Sequence, residues 1–234
     1  MEVRIAIAKT KKYAVPESGD SVEIAERPNG GITAILADGQ GSGKSAKATS
    51  TLVVNKAASL IADGARDGAV ARAVHDYLYA VKNGKVSATL TMLSADLDTR
   101  TIVVSRNTDC PVIIRNEYGI IIYDEAVNPI GVHKKMKPWT LEMDIEDGLI
   151  AITYSDGIAG AGKKNGKTLD MSKMEQIILE ANCEQADDLA ENILQYALSL
   201  DKERPGDDMA VLVMTVLQEE REPKIRRMLV SYPV

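Results

Sequence analysis

The chain has 234 residues, 45% of them hydrophobic and 26% charged, which is ordinary usage for a globular domain able to bury a sizeable core. A net charge of −6 argues against a nucleic-acid binder, because phosphate backbones need clustered Lys and Arg. No run reaches the roughly 18 apolar residues of a membrane span, so neither nucleic acid nor membrane is an expected partner.

Near the N-terminus Val3, Ile5 and Ile7 alternate with polar or small residues, which predicts a strand over 2–8 and lacks the apolar run of a signal peptide. Strands follow at 21–26 and 31–37, the last ending in Asp38-Gly39. A glycine-rich turn leads into a helix over 45–62, closed by Asp63-Gly64. A second helix over 68–81 carries Val70, Val74, Leu78 and Val81 on one face and stops at Asn83-Gly84. Strands are then predicted at 86–96, 101–105, 111–115, 119–123, 140–145 and 148–154. Short turns such as Asp98-Thr99, Asn107-Thr108-Asp109 and Asp147-Gly148 separate them, as in antiparallel meanders. Helices over 171–181 and 186–200 come next, and a strand from Met209 to Leu217 follows Gly206-Asp207-Asp208.

This order predicts an α+β fold in which two antiparallel sheets pack together with helices outside. Residues 1–218 are read as a single domain. The tail 219–234 is charged, then apolar, and suits a docking strand, a partner contact or a loose end. With no Phe and one Trp, the core must be aliphatic. Cys110 and Cys183 form neither a metal pair nor a disulfide framework; isolated cysteines of this kind suit a reducing, cytoplasmic setting. His75, in a helix, and His133, in a loop, read as structural or exposed. Lys163, Lys164 and Lys167, among Gly and Asn, read as a solvated loop.

Four places put an aspartate beside glycine at a strand end or turn: Ser18-Gly19-Asp20, Asp38-Gly39, Asp156-Gly157 and Gly206-Asp207-Asp208. Each pair alone is a common turn. As a set, Asp20, Asp38, Asp156 and Asp207 would bring four negative charges together, and such carboxylates either stay protonated or bind cations. Two divalent ions would balance them. The hard oxygen donors suit magnesium or manganese, and no His or Cys set offers a zinc site. Gly39 lets backbone approach such ions, so that its carbonyl can serve as a ligand. Paired ions activate a bridging water for in-line attack on phosphorus.

These residues resemble the metal-dependent (type 2C, PPM) protein serine/threonine phosphatases, in the bacterial branch named for the stage II sporulation phosphatase E. The resemblance rests on Ser18-Gly19-Asp20, Ala37 to Gly43, Asn128-Pro129-Ile130-Gly131-Val132, the segment from Glu146 to Gly157, and Asp207-Asp208-Met209. It implies an αββα sandwich, two antiparallel sheets flanked by helix pairs. It also implies a catalytic centre of Asp38, Asp156 and Asp207, with two Mn²⁺ or Mg²⁺ ions as cofactors. Asp38 matches the ligand bridging both metals, Asp156 and Asp207 complete the first site, and Asp20 with the Gly39 carbonyl forms the second. Asp208 matches a position that binds through water or orients Asp207. Eukaryotic-type members carry a histidine where this chain has Gln40, and a phosphate-gripping arginine near the position of Pro16; the bacterial branch lacks both. Lys44 could hold the phosphate by its charge, or stand as a solvated residue at a helix start.

The implied reaction is hydrolysis of phosphoserine or phosphothreonine on a small bacterial regulatory protein, an anti-sigma-factor antagonist or stressosome component. With no attached sensor or membrane domain expected, the chain resembles the short feedback phosphatases of such switches. A catalytically weak relative acting as a metal-binding regulatory module is the alternative; its mark would be missing ligands, and all four aspartates are present. Gly39 to Ser45 also resembles a phosphate loop, but Asp38 stands where that motif needs glycine and would repel the phosphates.

Overall fold

Alternation along the strands decides the layering. The computed structural model describes residues 1–218 and 225–231. In chain order the elements begin with β1 (Glu2–Thr10), β2 (Asp20–Glu26), β3 (Gly31–Asp38), α1 (Gly43–Ala62), α2 (Asp67–Lys82), β4 (Leu90–Asp96) and β5 (Thr101–Asn107). They continue through β6 (Val112–Asn116), β7 (Gly119–Tyr123), β8 (Trp139–Asp144), β9 (Ile150–Tyr154), α3 (Asp156–Ala159), α4 (Met171–Glu180), α5 (Ala186–Leu200) and β10 (Met209–Leu217). One sheet has the order β1-β10-β9-β6-β7 and the other β2-β3-β4-β5-β8. Every pairing is antiparallel.

Successive strand residues point to opposite faces, and β10 shows what each face meets. Ala210, Leu212, Met214 and Val216 pack between the sheets with Leu36, Leu93 and Val104. Val211 and Val213 face outward into a second core with Ile193 and Ala197 of α5. The other sheet sends Ile35 and Met92 outward against Val53, Ala57, Val74 and Leu78 of α1 and α2. The result is the expected αββα sandwich, with aliphatic layers in which each fully buried Leu or Ile contributes about 1.5–3 kcal/mol. A buried ion pair between Arg27 and Asp67, at 3.2 Å, fixes the start of α2 against its sheet.

Three differences from the expected elements bear on the site. The strand expected over 86–96 is regular only over β4; Ala88 instead forms isolated bridges with Gly39 and Ile130. That arrangement ties the Asn128–Val132 segment to the end of β3, helped by the Gly131 N–H, which donates to His75 Nδ1 at 3.1 Å. The strand expected from 148 begins at Ile150. The one-turn helix α3 and a 3-10 turn over Lys163–Asn165 are additions, too short to leave a 3.6-residue period in the sequence. Of the tail, residues 219–224 and 232–234 lie outside the described residues. Residues 225–231 carry no regular structure, and Arg226 pairs with Glu26 at 2.7 Å. No helix among the described residues is long and apolar enough to cross a membrane.

Candidate active site

Four strand ends meet at one rim of the sandwich. In one sheet Asp20 opens β2 and Asp38 closes β3, and antiparallel register sets them directly opposite each other. In the other sheet Asp156 follows β9, while Asp207 and Asp208 precede β10. The β9–β10 ladder continues past the strands: Ser155 N–H donates to the Ala210 carbonyl at 2.9 Å, and Ala210 N–H donates to Ser155 Oγ at 2.9 Å. Asp156 therefore lies alongside the Asp207–Asp208 turn.

The glycines at this rim are close-approach positions. A Cβ on Gly39 would lie 2.2 Å from the Ala46 carbonyl of α1, and one on Gly157 would lie 1.9 Å from the Asp208 carbonyl. Neither glycine has a left-handed backbone; each is required because another main chain occupies the space of a side chain. The turn reading of the Asp-Gly pairs is thereby replaced by a packing reading. Left-handed backbone appears one step later, at Gly41 and Gly43, with φ of 98° and 66°. The Asp38 carbonyl accepts from Thr89 N–H at 2.9 Å, and Gln40 N–H donates to Ser87 O at 3.0 Å. Main-chain groups alternate along a strand, so the Gly39 carbonyl is directed toward the β2 side, where Asp20 stands.

Electrostatics at the rim are those of crowded carboxylates. Asp20 is fully buried, and neither of its side-chain oxygens has a hydrogen-bond partner. Burial pushes its carboxyl up to about 7; Asp208 and Asp156 add to this, while the Ser155 hydroxyl and Lys9 oppose it. Asp38 is pushed up to about 8 by burial and by the charges of Asp20, Asp156, Asp207 and Asp208. Burial also raises Asp156, with Asp207 and Asp109 contributing. Asp38 thus senses the other four aspartates named from the sequence. As they stand, no three His, Cys, Asp or Glu side chains among the described residues converge closely enough to hold an ion. In kind, the donors fit a hard divalent cation: they are carboxylates in low dielectric, one with both oxygens unpartnered.

Asp208 differs from its neighbours. Its Oδ1 accepts from Lys12 N–H and its Oδ2 from Gly19 N–H, each at 2.8 Å. Its own N–H donates to Asp207 Oδ1 at 3.1 Å. It therefore fastens the 11–19 loop to the rim. Lys44 is exposed in the first turn of α1, and no hydrogen bond or ion pair joins it to the carboxylates among the described residues. Lys12 does reach them, with Nζ 3.5 Å from Asp207 Oδ1. Lys9 and Lys47 both donate to the Asp20 carbonyl, at 3.2 and 3.1 Å. These lysines, together with Asp109, left no local signal in the sequence; tertiary placement alone brings them in. Gln40 Oε1 accepts from Ser87 N–H at 2.9 Å, which holds its amide close to Asp38-Gly39. Cys110 is buried and its thiol is pushed up to about 12, in keeping with an inert role.

The sequence profile of the stage II sporulation protein E (SpoIIE) family matches residues 28–217, a span that holds Asp38, Asp156, Asp207 and Asp208 and begins after Asp20. Among solved structures, the PP2C phosphatase domain with a regulatory-domain fragment of SpoIIE from Bacillus subtilis is similar at 20% identity, covering 92% of this chain and 64% of that one, with a TM-score of 0.79. The chain thus spans a little under two thirds of that protein fragment. A serine/threonine phosphatase from S. agalactiae is similar at 14% identity, over 92% of this chain and all of the other, with a TM-score of 0.74. RsbX in complex with magnesium is similar at 17% identity, over 91% and 94% of the two chains, with a TM-score of 0.69. No curated protein sequence matches the chain. The fold of this chain is that of the PP2C phosphatases.

Proposed function

The chain belongs to the stage II sporulation protein E family, and from that premise we propose that it is a divalent-metal-dependent protein serine/threonine phosphatase. The observation that carries this reading is the fully buried Asp20 carboxylate, with both oxygens unpartnered, directly opposite Asp38 on a rim shared with Asp156 and Asp207. Buried carboxylates without partners are costly unless protonated or bound to a cation. Asp38, Asp156 and Asp207 would hold one ion, and Asp20, Asp38 and the Gly39 carbonyl a second, with Mn²⁺ or Mg²⁺ suited to such donors. When bound, such ions supply the fixed positive charge that phosphoryl transfer needs and make water nucleophilic near neutral pH.

The chain's own groups then have separable tasks. Asp38, common to both sets, would be shared by the two ions. Asp208 keeps Asp207 oriented through its N–H and holds the 11–19 loop in place. Lys12, whose ammonium lies 3.5 Å from Asp207 Oδ1, is better placed than Lys44 to meet the incoming phosphate. The substrate in this reading is phosphoserine or phosphothreonine on a bacterial regulatory protein of the anti-sigma-antagonist or stressosome type, met in the cytoplasm. Support comes from the family and from the free thiols of Cys110 and Cys183.

The test is titration of chelator-treated protein with Mn²⁺ and Mg²⁺ while phosphate release from a phosphoserine peptide and an aryl phosphate is followed. Metal-dependent turnover supports the reading. Metal uptake without turnover would instead favour a metal-binding regulatory module.

A further inference from the structure

Within an acidic chain, one lip of the carboxylate rim is basic, and it is built rather than loose. Residues 160–167 contain Lys163, Lys164 and Lys167 and no acidic residue. Their sequence reads as a solvated loop, yet the loop is clamped to the segment leading into Asp207. Gly162 N–H donates to Asp201 Oδ1 at 2.8 Å, and Gly206 N–H donates to Asp201 Oδ2 at 2.7 Å, so one buried carboxylate spans both segments. Asn165 Nδ2 donates to the Leu200 carbonyl at 2.9 Å, and Lys164 Nζ donates to the Gly206 carbonyl at 3.0 Å. Gly162 and Gly166 take left-handed backbone, with φ of 83° and 69°, and Lys164 lies over Gly206 of this platform.

A third segment joins the same lip. Tyr13 N–H donates to the Pro205 carbonyl at 3.0 Å, and the Arg204 guanidinium lies 5.3 Å from the centre of the Tyr13 ring. Tyr13 remains 56% exposed, so an aromatic face and a guanidinium stand open to solvent beside Lys164. Glu203 is the one acidic residue of the 202–206 turn, against Lys202 and Arg204. Lys163 acts by its charge on Asp156, whereas Lys164 bonds a main-chain carbonyl one residue before Asp207, not a carboxylate.

We propose that this lip, formed by Lys163, Lys164, Arg204 and Tyr13, docks the protein segment that carries the phosphate and selects segments with aspartate or glutamate close to the phosphorylated residue. The inference rests on the phosphatase reading and deepens it. The chain as a whole carries a net charge of −6, and a local basic platform beside the reacting centre favours an acidic segment where the phosphate must be delivered. Such exposed charges act on encounter and register, and salt screens them over about 10 Å at 0.1 M.

The experiment compares kcat/KM of the full chain with Mn²⁺ on three phosphoserine peptides of equal length, with acidic, neutral and basic flanks, alongside an aryl phosphate. The acidic peptide is expected to exceed the basic one by roughly tenfold at low salt, from two or three exposed charge pairs, and the ratio should shrink at high salt. Lys164→Glu/Arg204→Glu should abolish or invert the ratio. Lys164→Gln/Arg204→Gln, which adds no charge, should reduce it and serves if the first variant does not fold. A ratio near one in the unaltered chain, or one unmoved by a folded variant, overturns the inference while aryl phosphate turnover leaves the phosphatase reading standing. If nothing is hydrolysed, the phosphatase reading falls. The same peptides measured by fluorescence anisotropy then decide docking: tighter binding of the acidic phosphopeptide, weakened in the variants, supports the lip, and equal binding overturns it.

Discussion

The Asp208 carboxylate accepts a hydrogen bond from the Gly19 N–H at 2.8 Å, and that bond joins the rim of one sheet to the rim of the other. Asp208 sits before β10 and Gly19 before β2, so the contact sets how far apart Asp207 and Asp20 can lie. Because Asp208 Oδ1 is also taken, by Lys12 N–H, the residue works as a brace. Asp208→Ala leaves two N–H donors without their acceptor and is expected to cost about 1–3 kcal/mol for each donor that stays dry. Turnover should fall about 10–100-fold through lost positioning. Denaturant unfolding and steady-state kinetics on the same preparation check both effects.

Metal-free protein should lose stability as pH rises. Asp38 and Asp20 are raised to about 8 and about 7, above the unfolded value near 3.9. Between those limits the folded state holds protons that the unfolded chain has released, so stability declines from about pH 4 to about pH 8 and then levels. Divalent metal must displace those protons, so its apparent affinity should rise across pH 6–8. Thermal melts in chelator and in Mn²⁺ at several pH values should therefore diverge most at the alkaline end.

Gly39→Ala and Gly157→Ala should each destabilise by about 1–3 kcal/mol or more, since the added methyl meets main chain 2.2 and 1.9 Å away. Gly41→Ala meets nothing within 4 Å but must hold φ of 98°, a strain of about 1–3 kcal/mol. Thermal melts with metal bound measure both costs, and activity in Gly39→Ala should suffer further because α1 shifts at Ala46.

Lys12→Ala should raise KM for an aryl phosphate several-fold, through loss of one exposed charge contact, whereas Lys44→Ala should leave kcat/KM within about twofold. The contrast follows from Lys12 lying 3.5 Å from Asp207 and Lys44 contacting none of the carboxylates.

Much of this was legible in the sequence because the strands are long, aliphatic and bounded by clear turns. Helix and strand limits over 31–38, 119–123, 186–200 and 209–217 follow period and punctuation almost to the residue. Four of the aspartates were visible through their glycine neighbours, although Gly39 and Gly157 serve close packing and not turns. What stayed hidden depends on distant partners. Asp201 is one carboxylate after a helix until its two oxygens meet Gly162 and Gly206. Lys9 and Lys47 sit 38 residues apart in sequence and share the Asp20 carbonyl. Residues 86–89 read as the start of a strand, but Ala88 forms only isolated bridges, with Gly39 and Ile130.

The central claim is that Asp38 organises a metal-dependent hydrolytic centre, and Asp38→Asn tests it most directly. Calorimetric titration with Mn²⁺ and phosphate release from a phosphoserine peptide should be measured on variant and unaltered chain, with circular dichroism confirming the fold. The account predicts a folded variant with weakened metal binding and turnover reduced at least about 100-fold. A folded Asp38→Asn protein that keeps full metal affinity and full turnover would contradict it.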